Sequence, residues 1–100
     1  MSFTEYTVFI DDENFDDVEI MVHIDNESFN IIRAYTYVKD VEGLYIVTFK
    51  DGVERKSSVN KFLSKKKRLN PLFVDFNQRF IDEYRTHLSK AVSDEIEKEA

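Results

Sequence analysis

Residues 18–25 read Val-Glu-Ile-Met-Val-His-Ile-Asp, and they alternate strictly between two kinds of side chain. Val18, Ile20, Val22 and Ile24 are β-branched and apolar, whereas Glu19, Met21, His23 and Asp25 are mixed and largely polar. Successive strand residues point to opposite faces, so a period of two marks a strand with one face on a core. Upstream, Tyr6, Val8 and Ile10 repeat the period and predict a second strand. The seven residues between them, Asp11-Asp12-Glu13-Asn14-Phe15-Asp16-Asp17, are too charged for a sheet interior and predict an exposed connection with Phe15 tucked back.

Downstream, Asp25-Asn26-Glu27 is turn chemistry, and Phe29 to Val38 is again rich in aromatic and β-branched residues. In that strand Phe29, Ile31, Arg33, Tyr35 and Tyr37 are expected on one face, with Ile32, Ala34 and Val38 on the other. Leu44 to Phe49 follows a turn at Glu42-Gly43, and Asp51-Gly52 is a hairpin signal that returns the chain as Val53 to Ser57. The first half is therefore an antiparallel meander of four to five strands.

From Ser57-Ser58 the pattern changes, and residues 58–69 predict a short basic helix or turn carrying Phe62, Leu63 and Leu69. Asn70-Pro71 has the form of a helix start, with Leu69 and Val74 as a hydrophobic staple. Beyond it Phe73, Phe76, Phe80, Ile81, Tyr84, Leu88, Ala91 and Val92 fall on one broad helical stripe, on which Asn77 is out of place. A helix over 70–98 would be about 40 Å long, in a domain whose radius of gyration should be about 13 Å. Its end either overhangs or packs on a second copy, so a homodimer through this helix is one expectation. The fold class is α+β: the meander of residues 1–57, the basic segment, and a long C-terminal helix packed on one sheet face.

With 100 residues, 42% of them hydrophobic, two glycines and one proline, the chain should fold as a single domain. It has no cysteine, which removes disulfides, thiol nucleophiles and cysteine-ligated zinc. The opening Met-Ser-Phe-Thr-Glu has no basic region followed by an apolar stretch, and no segment approaches the roughly 18 apolar residues of a membrane span. A cytoplasmic location is expected.

Nothing in the pattern predicts catalysis or a cofactor. His23 and His87 are the histidines, the serines lack a Gly-x-Ser-x-Gly setting, and Gly43 and Gly52 belong to hairpin turns rather than a phosphate loop. His23, Asp25 and Glu27 would share a strand face as a metal trio only if the strand ran through the Asp25-Asn26-Glu27 turn, and a small metal enzyme centred on His23 is the weakest reading. Asp11, Glu13 and Asp17 lack the glycine and terminal glutamate of a calcium loop. No metal ligand is assigned.

Charge is distributed unevenly: the net is −10 over residues 1–54, +7 over 55–70 and −3 over 71–100. Such asymmetry bears on partners rather than fold. Asp11, Asp12, Glu13, Asp16, Asp17 and Glu19 form either a solvated loop or a docking surface for a basic protein. In the second case their spacing would imitate duplex DNA, which carries a charge about every 1.7 Å. Arg33, Tyr35 and Tyr37 combine residue types enriched at interface hot spots and extend the candidate surface. The expected function is non-enzymatic protein binding. The composition suits an inhibitor or modulator of phage or mobile-element type, directed at a nucleic-acid-handling protein. The rival is direct nucleic-acid contact through Arg55, Lys56, Lys61, Lys65, Lys66, Lys67 and Arg68, which the acidic remainder of the chain disfavours.

Overall fold

The two apolar rows lie side by side. In a computed structural model that describes residues 2–38, 40–42, 45–50, 52–57, 60–64 and 73–99, β1 (Phe3–Ile10) pairs antiparallel with β2 (Val18–Asp25), setting Tyr6 opposite Val22, Val8 opposite Ile20 and Ile10 opposite Val18. A residue and the one directly opposite point to the same face, so the register puts both rows on a single inner surface. β3 (Ile31–Tyr37) pairs with the other edge of β2, and the register shifts between His23 and Ile24. That irregularity places Ile31 opposite Ile24, where it packs against the core, instead of on the face with Arg33 as strict alternation predicts. Phe29 also leaves that face. It lies in the β2–β3 loop with φ +61° and is 77% exposed.

The meander divides into two sheets. Beyond Tyr37 the chain forms a separate antiparallel sheet of β4 (Asp40–Glu42), β5 (Tyr45–Lys50) and β6 (Val53–Ser57), and β5 touches β2. The place beside β3 is taken by β7 (Phe73–Asp75), giving a four-stranded antiparallel sheet in the order β1-β2-β3-β7. Between the sheets runs a short 3-10 turn, Asn60–Phe62, whose Phe62 is fully buried.

β7 corrects the expected helix start. Residues 70–72 lie outside the described residues, and Phe73, Val74 and Asp75 bond to β3 as a strand, with the Phe76 N–H donating to the Ala34 carbonyl at 2.9 Å. The helix α1 spans Gln78–Glu99. Its cap is Asn77: the Oδ1 accepts the Phe80 N–H at 3.0 Å, while the Nδ2 donates to the carbonyls of Lys61 at 2.9 Å and Leu63 at 3.4 Å. The polar residue that sat badly on the apolar stripe is therefore the residue that starts the helix and ties it to the 3-10 turn.

Phe80, Ile81, Tyr84, Leu88 and Val92 form the buried stripe of α1. They meet Val8, Ile10, Val18, Ile20, Val22, Ala34 and Val74 of the four-stranded sheet, and Ile46 of the second sheet joins the same core. Phe15 reaches back from the acidic loop into an aromatic cluster, with Phe62, Phe76, Phe80 and Tyr84 at centroid distances of 5.3–6.1 Å. After Val92 the stripe ends and Ile96 is exposed. No described helix is long and apolar enough to cross a membrane.

Candidate functional site

With the helix on the inner surface, the odd-numbered residues of β1, of β2 and of β3 from Arg33 onward are left on the other side of the sheet. Pairing assembles them into rows: Glu5 opposite His23 and His23 opposite Arg33, then Thr7 opposite Met21, Met21 opposite Tyr35 and Tyr35 opposite Asp75, then Tyr37 opposite Phe73. Four strands distant in sequence thus contribute to one patch.

Its polar groups bind each other. The Arg33 Nε donates to Asp75 Oδ1 at 2.6 Å, and the guanidinium lies 4.4 Å from the Tyr35 ring centre and 5.5 Å from that of Phe73. Tyr35 and Tyr37 meet edge to face at 5.9 Å, and Phe73 touches both. On the β1 side Glu5 Oε1 accepts the Tyr35 hydroxyl and lies 2.8 Å from His23 Nε2, while Phe3 stacks on the His23 ring at 4.4 Å. The hydrogen bonds from Tyr35 and then His23 hold the Glu5 carboxyl below its usual range. Burial, reinforced by the Glu5 hydrogen bond, pushes the Tyr35 phenol well above its own. The ion pair with Asp75 raises Arg33 further into its charged form.

This arrangement fixes the side chains against one another. His23 is 9% exposed, packed between Phe3 and Tyr35 with Nε2 turned to Glu5. Phe3 and Tyr37, in contrast, are 50% and 55% exposed at two ends of the patch. The His23, Asp25 and Glu27 trio is not brought together, because Asp25 Oδ1 accepts the Glu27 N–H at 2.8 Å and organises the turn. Among the described residues there is no group of three or more His, Asp or Glu side chains able to hold a metal ion.

The acidic segment divides by role. Asp11 and Glu13 are exposed. Asp12 is a structural residue: Oδ1 accepts the N–H groups of Asn14 and Phe15, both at 2.9 Å, and Oδ2 accepts the Tyr84 hydroxyl at 2.7 Å. Burial pushes the Asp12 carboxyl up, but the hydrogen bonds from Tyr84, Phe15 and Asn14 prevail and hold it low. The Asp16 N–H donates to Ser57 Oγ at 3.0 Å and its carboxylate lies 3.7 Å from Arg55 Nη1. Asp17 has a φ of +51°, which aspartate tolerates better than most residues. The Glu19 carbonyl accepts the Thr36 hydroxyl at 2.6 Å.

Arg55 and Lys56 stand in β6, Arg55 beside Asp16, and Lys61 lies 4.9 Å from the Phe62 ring centre in the 3-10 turn. Lys65, Lys66, Lys67 and Arg68 lie outside the described residues.

The sequence pattern places Arg33, Tyr35 and Tyr37 on one face, as the structure does, but does not bring Phe3, Glu5, Phe73 and Asp75 to them. For Phe3 and Glu5 the signal was present, since they hold the opposite phase to Tyr6, Val8 and Ile10. Asp75 and Phe73 were hidden by the helical reading of 73–76. Comparison with protein-family models, curated proteins and solved structures returns no match.

Proposed function

We propose that this chain is a non-enzymatic protein-binding module that docks through the outer face of the β1-β2-β3-β7 sheet onto a partner with a basic surface. The observation that carries this reading is the Arg33–Tyr35–Tyr37–Phe73 cluster, held in place by Asp75 and Glu5. Tyrosine and arginine dominate interface hot spots, and side chains already fixed in one arrangement lose little entropy on binding. Exposed Phe3 and Tyr37 supply apolar area at the ends of the patch.

Charge selects the partner class. Glu5 and Asp75 flank the Arg33 guanidinium, and residues 1–54 carry a net charge of −10. Such a surface attracts a basic protein and repels a polyanion. A basic groove of the kind that nucleic-acid-handling proteins carry is the target that fits, with this chain occupying it as a modulator. Asp12 and Asp16 are engaged by Tyr84 of α1 and Arg55 of β6, so the acidic loop's contribution to docking falls to the exposed Asp11 and Glu13.

Affinity isolation from cell lysate, with and without nuclease, tests the reading on wild type, Tyr37→Ala and Asp11→Asn/Glu13→Gln. The expected result is a protein that survives nuclease, is lost with Tyr37→Ala and is weakened by the double variant and by added salt. Recovery that disappears with nuclease, or is indifferent to Tyr37→Ala, would overturn it and move the function to the basic segment.

A further inference from the structure

Left-handed backbone is uncommon for bulky side chains. Among the described residues other than glycine, φ is positive at Asp17, +51°, and at Phe29, +61°. Aspartate reaches this region with the help of local hydrogen bonds, whereas the Cβ of a phenylalanine there crowds the following carbonyl. Phe29 stands at the end of the β2–β3 turn, where its N–H donates to the Asp25 carbonyl at 2.8 Å and closes a single turn over residues 25–29. The left-handed residue that ends such a turn is usually glycine and sometimes asparagine. Backbone geometry therefore disfavours phenylalanine at this position.

Burial does not explain it either. The ring is 77% exposed, more than any other large apolar side chain among the described residues. Apolar residues scattered singly over a surface are ordinary, but here an exposed ring is combined with a costly backbone conformation, and strain of that kind gathers at sites of function. The turn holds the ring in place. The Asp25 N–H donates to the Asn30 carbonyl at 2.9 Å, Asp25 Oδ1 accepts the Glu27 N–H at 2.8 Å, and Ser28 Oγ accepts the Asn30 N–H at 3.3 Å. Asn26 fastens the turn to the start of the chain, its N–H donating to the Ser2 carbonyl at 3.2 Å and its Oδ1 accepting the Thr4 hydroxyl at 2.7 Å.

We propose that Phe29 is an anchor that enters an apolar pocket, rimmed by lysine or arginine, on a partner protein. Aromatic side chains filling a pocket dominate interface energetics, and a turn already fixed by its own hydrogen bonds loses little entropy on docking. Charge selects the pocket's rim. From Ile20 to Ile32 the chain carries Asp25 and Glu27 and no lysine or arginine, and Glu27 is exposed. Carboxylates two and four positions before the ring complement a basic rim and are repelled by an anionic lipid surface. Ile32, 43% exposed three residues further on, adds apolar area. The inference rests on the reading of the chain as a protein-binding module, but not on the outer-face patch, to which Phe29 does not belong.

Three measurements test it. In urea, Phe29→Asn should unfold at or above the wild-type midpoint, because asparagine suits the left-handed position; a lower midpoint would show that the ring serves the fold and would overturn the proposal. Phe29→p-benzoylphenylalanine, irradiated in cell lysate, should attach to a protein segment that combines apolar residues with lysine or arginine, and excess wild type but not Phe29→Asn should suppress the adduct. Titrated with that protein once purified, Phe29→Asn should bind at least about tenfold more weakly than wild type, and Glu27→Gln should bind more weakly with a shallower dependence on salt. No suppressible adduct, equal affinity of wild type and Phe29→Asn, or Phe29-dependent binding to vesicles of phosphatidylcholine and phosphatidylserine would each overturn the anchor. Binding lost with Phe29→Asn but kept with Tyr37→Ala would uphold the anchor and overturn the outer-face reading, and the converse result would do the reverse.

Discussion

Asp12 stands in a run of carboxylates, yet its two oxygens are occupied by the backbone of its own loop and by the helix. The Tyr84 hydroxyl donates to Asp12 Oδ2 and accepts the Asn14 amide at 3.1 Å, so one phenol closes the β1–β2 loop onto α1. Burial first, with the bond to Asp12 adding to it, pushes the Tyr84 phenol up to about 12 from its ordinary 10.0. The folded state therefore holds this proton more tightly than the unfolded chain does. Its contribution to stability is complete below the ordinary phenol value and is lost as pH rises from there through about 12. In an alkaline absorbance titration Tyr84 should ionise late among the five tyrosines, and Tyr84→Phe should remove that late step. In urea at neutral pH the same variant should cost roughly 1.5–3 kcal/mol, the range for a hydrogen bond to a charged acceptor. An unchanged titration would show that the phenol is not held by Asp12.

At the scale of elements, the helix start shows how far the sequence could be read. Asn70-Pro71 and Asn77 both have an N-cap's chemistry, and Phe73, Phe76 and Phe80 fit a helical spacing as well as they fit a strand entering a helix. What decides is the free edge of β3, which offers backbone partners to Phe73–Asp75, and no local pattern reveals a vacant edge created by β3 and β2 pairing far upstream. The period-two rows of β1 and β2, by contrast, were legible because each strand declares its own core face. The outer patch was half legible for the same reason: Arg33, Tyr35 and Tyr37 lie within one strand, whereas Asp75 joins them through β7. Asn77→Ala should cost about 1–2 kcal/mol in chemical denaturation, typical of a lost cap. Asn77→Asp should fall between the two, because its carboxylate can still accept the Phe80 N–H but cannot donate to the carbonyls of Lys61 and Leu63. Equal stability of all three would mean that the cap contributes nothing.

For the molecule as a whole, the question is whether two sheets and a helix behave as one cooperative unit. One core answers for all of them, since Ile46 of the second sheet, Ile20 and Val22 of the first, and Phe80 and Leu88 of α1 belong to a single buried cluster. Phe15 is the member drawn from a loop: it is fully buried and meets rings supplied by the 3-10 turn, by the residue after β7 and by the helix. Truncating a buried phenylalanine to alanine costs about 3–5 kcal/mol, and a domain of this size is stable by only about 5–15 kcal/mol. Phe15→Ala should therefore lower the urea midpoint by a large fraction, and it should do so equally for every probe. Far-UV circular dichroism, which follows the helix, and tyrosine fluorescence should give coincident curves in wild type and variant alike. If Phe15→Ala left the helix signal in place while the tyrosine signal was lost, the aromatic cluster would be a local fastening and the two sheets would be separately stable. Coincident curves would mean that the acidic loop, through one aromatic ring, belongs to the same cooperative unit as both sheets and the helix.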